Sequence, residues 1–215
     1  MNPLSVPPTD QAHTWTAGLA LRRWLAQPQL GAAPGWVKTG AVGRSPLRSR
    51  LAGLQLGRML PPPECDIDAL RRWHPWLTRP LADIEARLMR AAGLVLQRQI
   101  CNCIHGRQRQ ALIDTLGPRL YEEIMQTRWQ ATQIEALDRL RLPVPEWRER
   151  QQVLACGLRL AHDVLLHHSP YLARRLLLLF PADISLPPVP GQAWSATATA
   201  LVSTILQQEV TYDDH

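Results

Sequence analysis

The stretch PLADIEARLMRAAGLVLQRQICNCI, residues 80–104, carries the reading of the fold. Ile84, Leu88, Ala91, Val95 and Ile100 keep a spacing close to 3.6 residues, which predicts one long amphipathic helix. Its other face holds Glu85, Arg87 and Arg90, the mark of a side turned to water, and Gly106 is a natural C-terminal stop.

Outward from this helix the chain repeats the same vocabulary. Towards the N-terminus, helices are expected over about residues 11–27 and 46–60, and from Asp66, a candidate N-cap, to near Pro75. Towards the C-terminus, "RQALIDTL" forms a helix closed by Gly117, and Pro118 opens the next one. A long helix over about 146–167 presents Trp147, Leu154, Leu158, Ala161 and Leu165 on one stripe. Ser169 and Pro170 start another that runs to Phe180, and a last one spans about 195–209 with Ala198, Leu201, Val202 and Ile205 apolar. The expected fold is all-α, an irregular multi-helix globular bundle of about seven to nine helices.

Composition agrees: 46% of the 215 residues are hydrophobic, and Leu, Ala and Arg dominate over three Tyr and one Phe. No run of about 18 apolar residues exists, and the first residues lack a basic and an apolar signal region, so a cytoplasmic protein is expected. Cys65, Cys101, Cys103 and Cys156 are too few and too irregular for a disulfide framework and read as reduced thiols.

Charge divides the chain. Residues 1–60 hold seven cations (Arg22, Arg23, Lys38, Arg44, Arg48, Arg50 and Arg58) against the single acid Asp10, whereas residues 61–215 balance 17 bases with 17 acids. The proline run at Pro61 to Pro63 falls on that boundary, which predicts a basic, partly helical N-terminal region (1–60). A main helical domain (61–215) follows, with a Pro-rich tether at 181–192 ahead of the C-terminal helix. A cationic segment attracts acidic protein surface, anionic lipid or nucleic acid through the same field, and solvated arginines on an amphipathic surface fit equally. Trp24 beside Arg22 and Arg23, and Trp73 and Trp76 beside Arg71 and Arg72, have the Trp/Arg mixture of interface hot spots, although tryptophan is also a core residue. The candidate partner-binding set is therefore Arg22, Arg23, Trp24, Arg44, Arg48, Arg50, Arg58, Arg71, Arg72, Trp73 and Trp76.

Two constellations invite a chemical reading. In Cys101-x-Cys103-x-His105, successive helical residues turn by about 100°, so only Cys101 and His105 share a face, and no second ligand pair appears for zinc. Cys103 instead extends the apolar stripe of Leu96 and Ile100. Glu122 and Glu123 are adjacent and diverge on a helix, which leaves them as a solvated face. Phosphate-loop, dinucleotide, nucleophile-elbow and zinc-protease motifs are missing from the sequence, and neither catalysis, a metal nor a cofactor is expected.

The segment "RLMRAAGLVLQRQICNCIHGRQRQALIDTLGPRLYEEIM", followed by "LACGLRLAHDVLLHHSPYLARRLLLLFP", resembles the YscK-type (SctK) proteins of bacterial type III secretion systems over about residues 80–182. The shared features are a "GLVL" helix, a short helical hairpin, and a later "GL" helix ending in a Leu-rich segment before proline. The resemblance implies a non-enzymatic adaptor at the cytoplasmic face of the inner membrane. Such an adaptor would link the cytoplasmic domain of the inner-membrane ring protein to the C-ring-like pods of the sorting platform and to the stator of the secretion ATPase. Membrane contact would be peripheral only, and no nucleic acid would be bound. A helical nucleic-acid-binding regulator using the Arg-rich N-terminal region is the competing expectation.

Overall fold

The computed structural model describes residues 21, 23–28, 32–33, 36, 46–60, 67–103, 106–188 and 194–209, with the backbone alone for 46–51 and 67. The expected helix over 11–27 lies largely outside these residues, where only a short helical piece at 21–26 is described. Asp66 and the proline run at 61–63 also lie outside them.

Every helix among the described residues is α, and no strand occurs among them. In chain order the helices are α1 (Pro46–Met59), α2 (Ile67–Leu77), α3 (Leu81–Val95), α4 (Gln97–Cys101) and α5 (Gly106–Leu116). They continue with α6 (Pro118–Gln126), α7 (Ala131–Asp138), α8 (Arg150–His168), α9 (Pro170–Leu177) and α10 (Ala196–Gln207). The fold is all-α, and ten named helices exceed the expected seven to nine for two reasons. The helix expected over 80–104 is divided at Leu96 (φ −92°, ψ 15°), and α7 is not signalled by any strong cap or period.

Helix ends follow local chemistry. Gly117 has φ 84°, a value glycine adopts without strain, and so turns α5 into α6 with Pro118 at the first position. The Ser169 hydroxyl accepts from the Tyr171 N–H at 3.2 Å and the Ser195 hydroxyl from the Ala198 N–H at 3.1 Å, each satisfying one orphan donor of α9 and α10. Gly106, expected as a stop, instead opens α5. Likewise α2 runs past Pro75 to Leu77, because Trp76 and Leu77 beyond the proline are buried and the Thr78 hydroxyl donates back to the His74 carbonyl at 2.9 Å. At the division after α3, the Gln97 amide donates to the Ile124 carbonyl and, at 2.8 Å, to the Thr127 carbonyl, capping the C-terminal end of α6.

At the centre α3 lies against α8, with α9 and α2 beyond α8 and with α10 against α3, α8 and α7. The contact of α3 with α8 is a backbone contact: a Cβ on Gly157 would stand 2.0 Å from the Leu88 carbonyl oxygen. Leu88, Ala91, Ala92, Leu158, Ala161 and Leu165 fill this seam and are essentially inaccessible. The Leu-rich run after α9 turns inward at Phe180, which is 1% exposed, and Ile184 and Leu186 of the proline-rich stretch pack on the core, so residues 181–188 run along the body.

Candidate interaction surface and the aromatic core beneath it

The α2 helix separates the candidate residues by face. Arg71 and Arg72 are exposed, whereas Trp73 and Trp76, three residues apart, turn inward with exposures of 0% and 4%. The two indoles meet edge to face at 5.8 Å, and Trp76 Nε1 donates to the Leu206 carbonyl at 2.9 Å. Trp24 is buried too, at 6%. The three tryptophans thus belong to the core, and the expectation of an exposed Trp/Arg hot spot is corrected: neighbours in sequence on a helix diverge by about 100°.

Trp24 occupies a seat built by two other helices. The Arg175 guanidinium of α9 lies 4.2 Å from its ring centroid, His74 of α2 meets it edge-on at 5.2 Å, and Tyr171 does so at 6.0 Å. Arg175, 3% exposed, makes no ion pair with a carboxylate among the described residues. It donates instead to the Pro28 carbonyl at 2.6 Å and the Trp24 carbonyl at 3.4 Å. Burial, opposed by Tyr171, pulls its pKa down. One residue earlier, Arg174 lies 5.2 Å from the Trp36 ring, whose Nε1 donates to the Phe180 carbonyl at 2.6 Å, and the Ala33 N–H donates to the Leu178 carbonyl at 2.7 Å. Described parts of residues 1–60 therefore pack on the main body across the expected boundary.

The remaining candidates are surface cations or lie beyond description. Arg22 and Arg44 are outside the described residues, and the side chains of Arg48 and Arg50 on α1 are likewise undescribed. Arg23 and Arg58 are exposed; Arg23 Nε donates to Gln27 at 3.4 Å, and Arg71 stands 3.9 Å from Asp68. These surface contacts contribute little to stability.

A second group of arginines escaped the sequence reading. Arg87, expected on the wet face of its helix, is 3% exposed and donates to the Leu206 and Gln208 carbonyls at 3.2 and 2.7 Å. Arg90 is mostly buried as well, pairs with Glu123 at 2.6 Å and donates to the Ile205 carbonyl at 3.0 Å. Together with Arg79, paired with Glu209 at 3.1 Å, they place cations on the negative C-terminal end of α10. Burial first, then Arg79, pulls the Arg87 pKa down. Apart from Glu123, the acceptors lie well over a hundred residues away in sequence, and no local signal announces them.

Glu122 and Glu123 diverge as expected, but only Glu122 lies on a solvated face, where it accepts from Gln126 at 2.9 Å; Glu123 is half-buried and faces Arg90. Cys101 is exposed with its Sγ 3.9 Å from Met125 Sδ. Cys103 is half-buried, and its thiol donates to the Gln99 carbonyl at 3.4 Å. Burial pushes the Cys156 thiol up to about 11, which makes it a poor nucleophile. His105 and Cys65 lie outside the described residues, among which no three His, Cys, Asp or Glu side chains converge on a metal-sized site. No helix among them is long and apolar enough to cross a membrane.

Two half-buried histidines couple this region to pH. Burial, followed by Arg175, lowers the His74 pKa below 6.5; burial, followed by Arg72 and His167, lowers that of His168, whose ring is 6.0 Å from Trp73. As pH falls below about 6.5 the unfolded chain takes up these protons first, so folding stability is fully present above that value and declines until the folded-state pKa values are passed. The urea midpoint is expected to drop on acidification through this window, and a His74→Gln/His168→Gln protein should lose most of that slope. An unchanged slope in the double variant would contradict the assignment.

No protein-family model matches the chain, and no curated protein and no solved structure matches it significantly.

Proposed function

We propose that the chain is a non-enzymatic adaptor of a type III secretion injectisome, joining the inner-membrane ring protein's cytoplasmic domain to the C-ring-like pods and, through them, to the ATPase stator. The reading is carried by the order of helices over residues 80–182, which resembles the YscK-type proteins. The same residues supply α3 to α9, and both "GL" positions of that resemblance, Gly93 and Gly157, are points of close helix approach. The exposed arginines Arg23, Arg58, Arg71 and Arg72, with Arg22, Arg44, Arg48 and Arg50, would meet an acidic partner surface and govern the rate of association more than the final affinity.

Crosslinking in native cells followed by affinity purification is expected to recover a ring protein together with a C-ring-like subunit. Recovery of nucleic acid instead would favour the regulator reading. In a purified system, the R23E/R71E/R72E protein should associate with the ring domain at least about tenfold more slowly at low salt, with the difference shrinking as salt is raised. An unchanged rate would remove the electrostatic part of the proposal.

A further inference from the structure

On the α5 side of the molecule a cleft of about 390 Å³ opens between α5 and the segment leading into α8. Its lining comprises Arg107, Gln110, Ala111, Asp114, Thr115 and Arg148. The first five fall at the i, i+3, i+4, i+7 and i+8 positions of α5, one continuous face of the helix. The Thr115 hydroxyl donates to the Trp147 carbonyl at 2.6 Å, which pins the opposite wall and brings Arg148 in from the Thr115 end. Asp114 accepts from the Gln110 amide at 2.8 Å, and among the described residues neither Arg107 nor Arg148 forms an ion pair. Arg107 lies in the first turn of α5, where the helix dipole adds to its attraction for an anion.

The cleft is therefore lined by two arginines that no carboxylate among the described residues has taken, Arg107 in the first turn of the helical face and Arg148 beyond Thr115 at its other end. From Arg107 to Asp114 that face advances about 10 Å along the axis, close to three residues of extended chain. Alternate side chains of an extended peptide point the same way with their Cα atoms about 7 Å apart, and the flexible arms of two glutamates and of the two arginines span the remaining few ångströms. We propose that the cleft binds an extended acidic peptide with a Glu-x-Glu pattern, each carboxylate taken by one arginine. The planar guanidinium fork matches a carboxylate, and the Asp114 carboxylate in the lining repels the denser charge of a phosphate. Binding of this kind does not depend on a role in secretion.

The test uses the full chain and the peptide acetyl-Glu-Ala-Glu-amide, followed by amide chemical shifts at constant ionic strength. Saturable shifts at Ala111 and Thr115 are expected. Binding should weaken about threefold in R107Q or R148Q and about tenfold in the double variant, as for exposed ion pairs, and stay unchanged in R71Q. Circular dichroism confirms that each variant is folded. Equal binding of acetyl-Gln-Ala-Gln-amide, an equal loss in R71Q, or no saturation would overturn the proposal, and inorganic phosphate binding ahead of the peptide would overturn the ligand class.

Discussion

Gly157→Ala is expected to destabilise the protein by about 3 kcal/mol, the upper end of the usual cost of overpacking. The added methyl would stand 2.0 Å from the Leu88 carbonyl oxygen and 2.5 Å from its carbon, and backbone atoms do not rotate out of the way as a side chain does. Relief requires α3 and α8 to move apart, which loosens Leu88, Leu158 and Ala161 together. Gly93→Ala is the internal comparison. There the methyl meets the flexible Ile124 Cδ1, and the better helix propensity of alanine, about 1 kcal/mol, offsets part of the cost. Urea denaturation followed by far-ultraviolet circular dichroism should rank wild type, then G93A, then G157A. A G157A protein as stable as wild type would mean that α3 and α8 are not in backbone contact.

Trp73→Ala is expected to cost about 3–5 kcal/mol, because an indole with 0% exposure leaves a cavity against Trp76 and His168. Its Nε1 finds no acceptor among the described residues, so Trp73→Phe loses packing but no hydrogen bond and should cost less than half as much. Arg72→Gln, one position away and exposed, should stay within about 0.5 kcal/mol. Thermal unfolding of the three variants separates a core tryptophan from a surface one: a W73A protein with wild-type stability and impaired partner binding would restore the hot-spot reading.

What could be read from the sequence was what short-range chemistry controls. The Gly117–Pro118 turn and the Ser169 and Ser195 caps act within four residues and are visible in the sequence itself. The α7 helix is not, since Ala136 and Leu137 are its only buried residues and Gln130, a weak cap, precedes it. The interruption at Leu96 is accompanied by a distant interaction, the hold of Gln97 on the end of α6, and periodicity runs straight through it. For the candidate surface, charge placed the exposed arginines, but charge alone could not distinguish Arg71 in water from Arg87 and Arg175 buried against carbonyls.

The pairing of Trp24 with Arg175 and of Trp36 with Arg174 and Phe180 also imposes an order on synthesis. The hydrogen bonds that fix these tryptophan segments span 144 to 151 residues of chain. At ordinary elongation rates the partners leave the ribosome roughly 7 to 30 s after the tryptophans. During that interval the Trp24 and Trp36 segments are nascent chain without their dock, which α9 and the residues just after it complete.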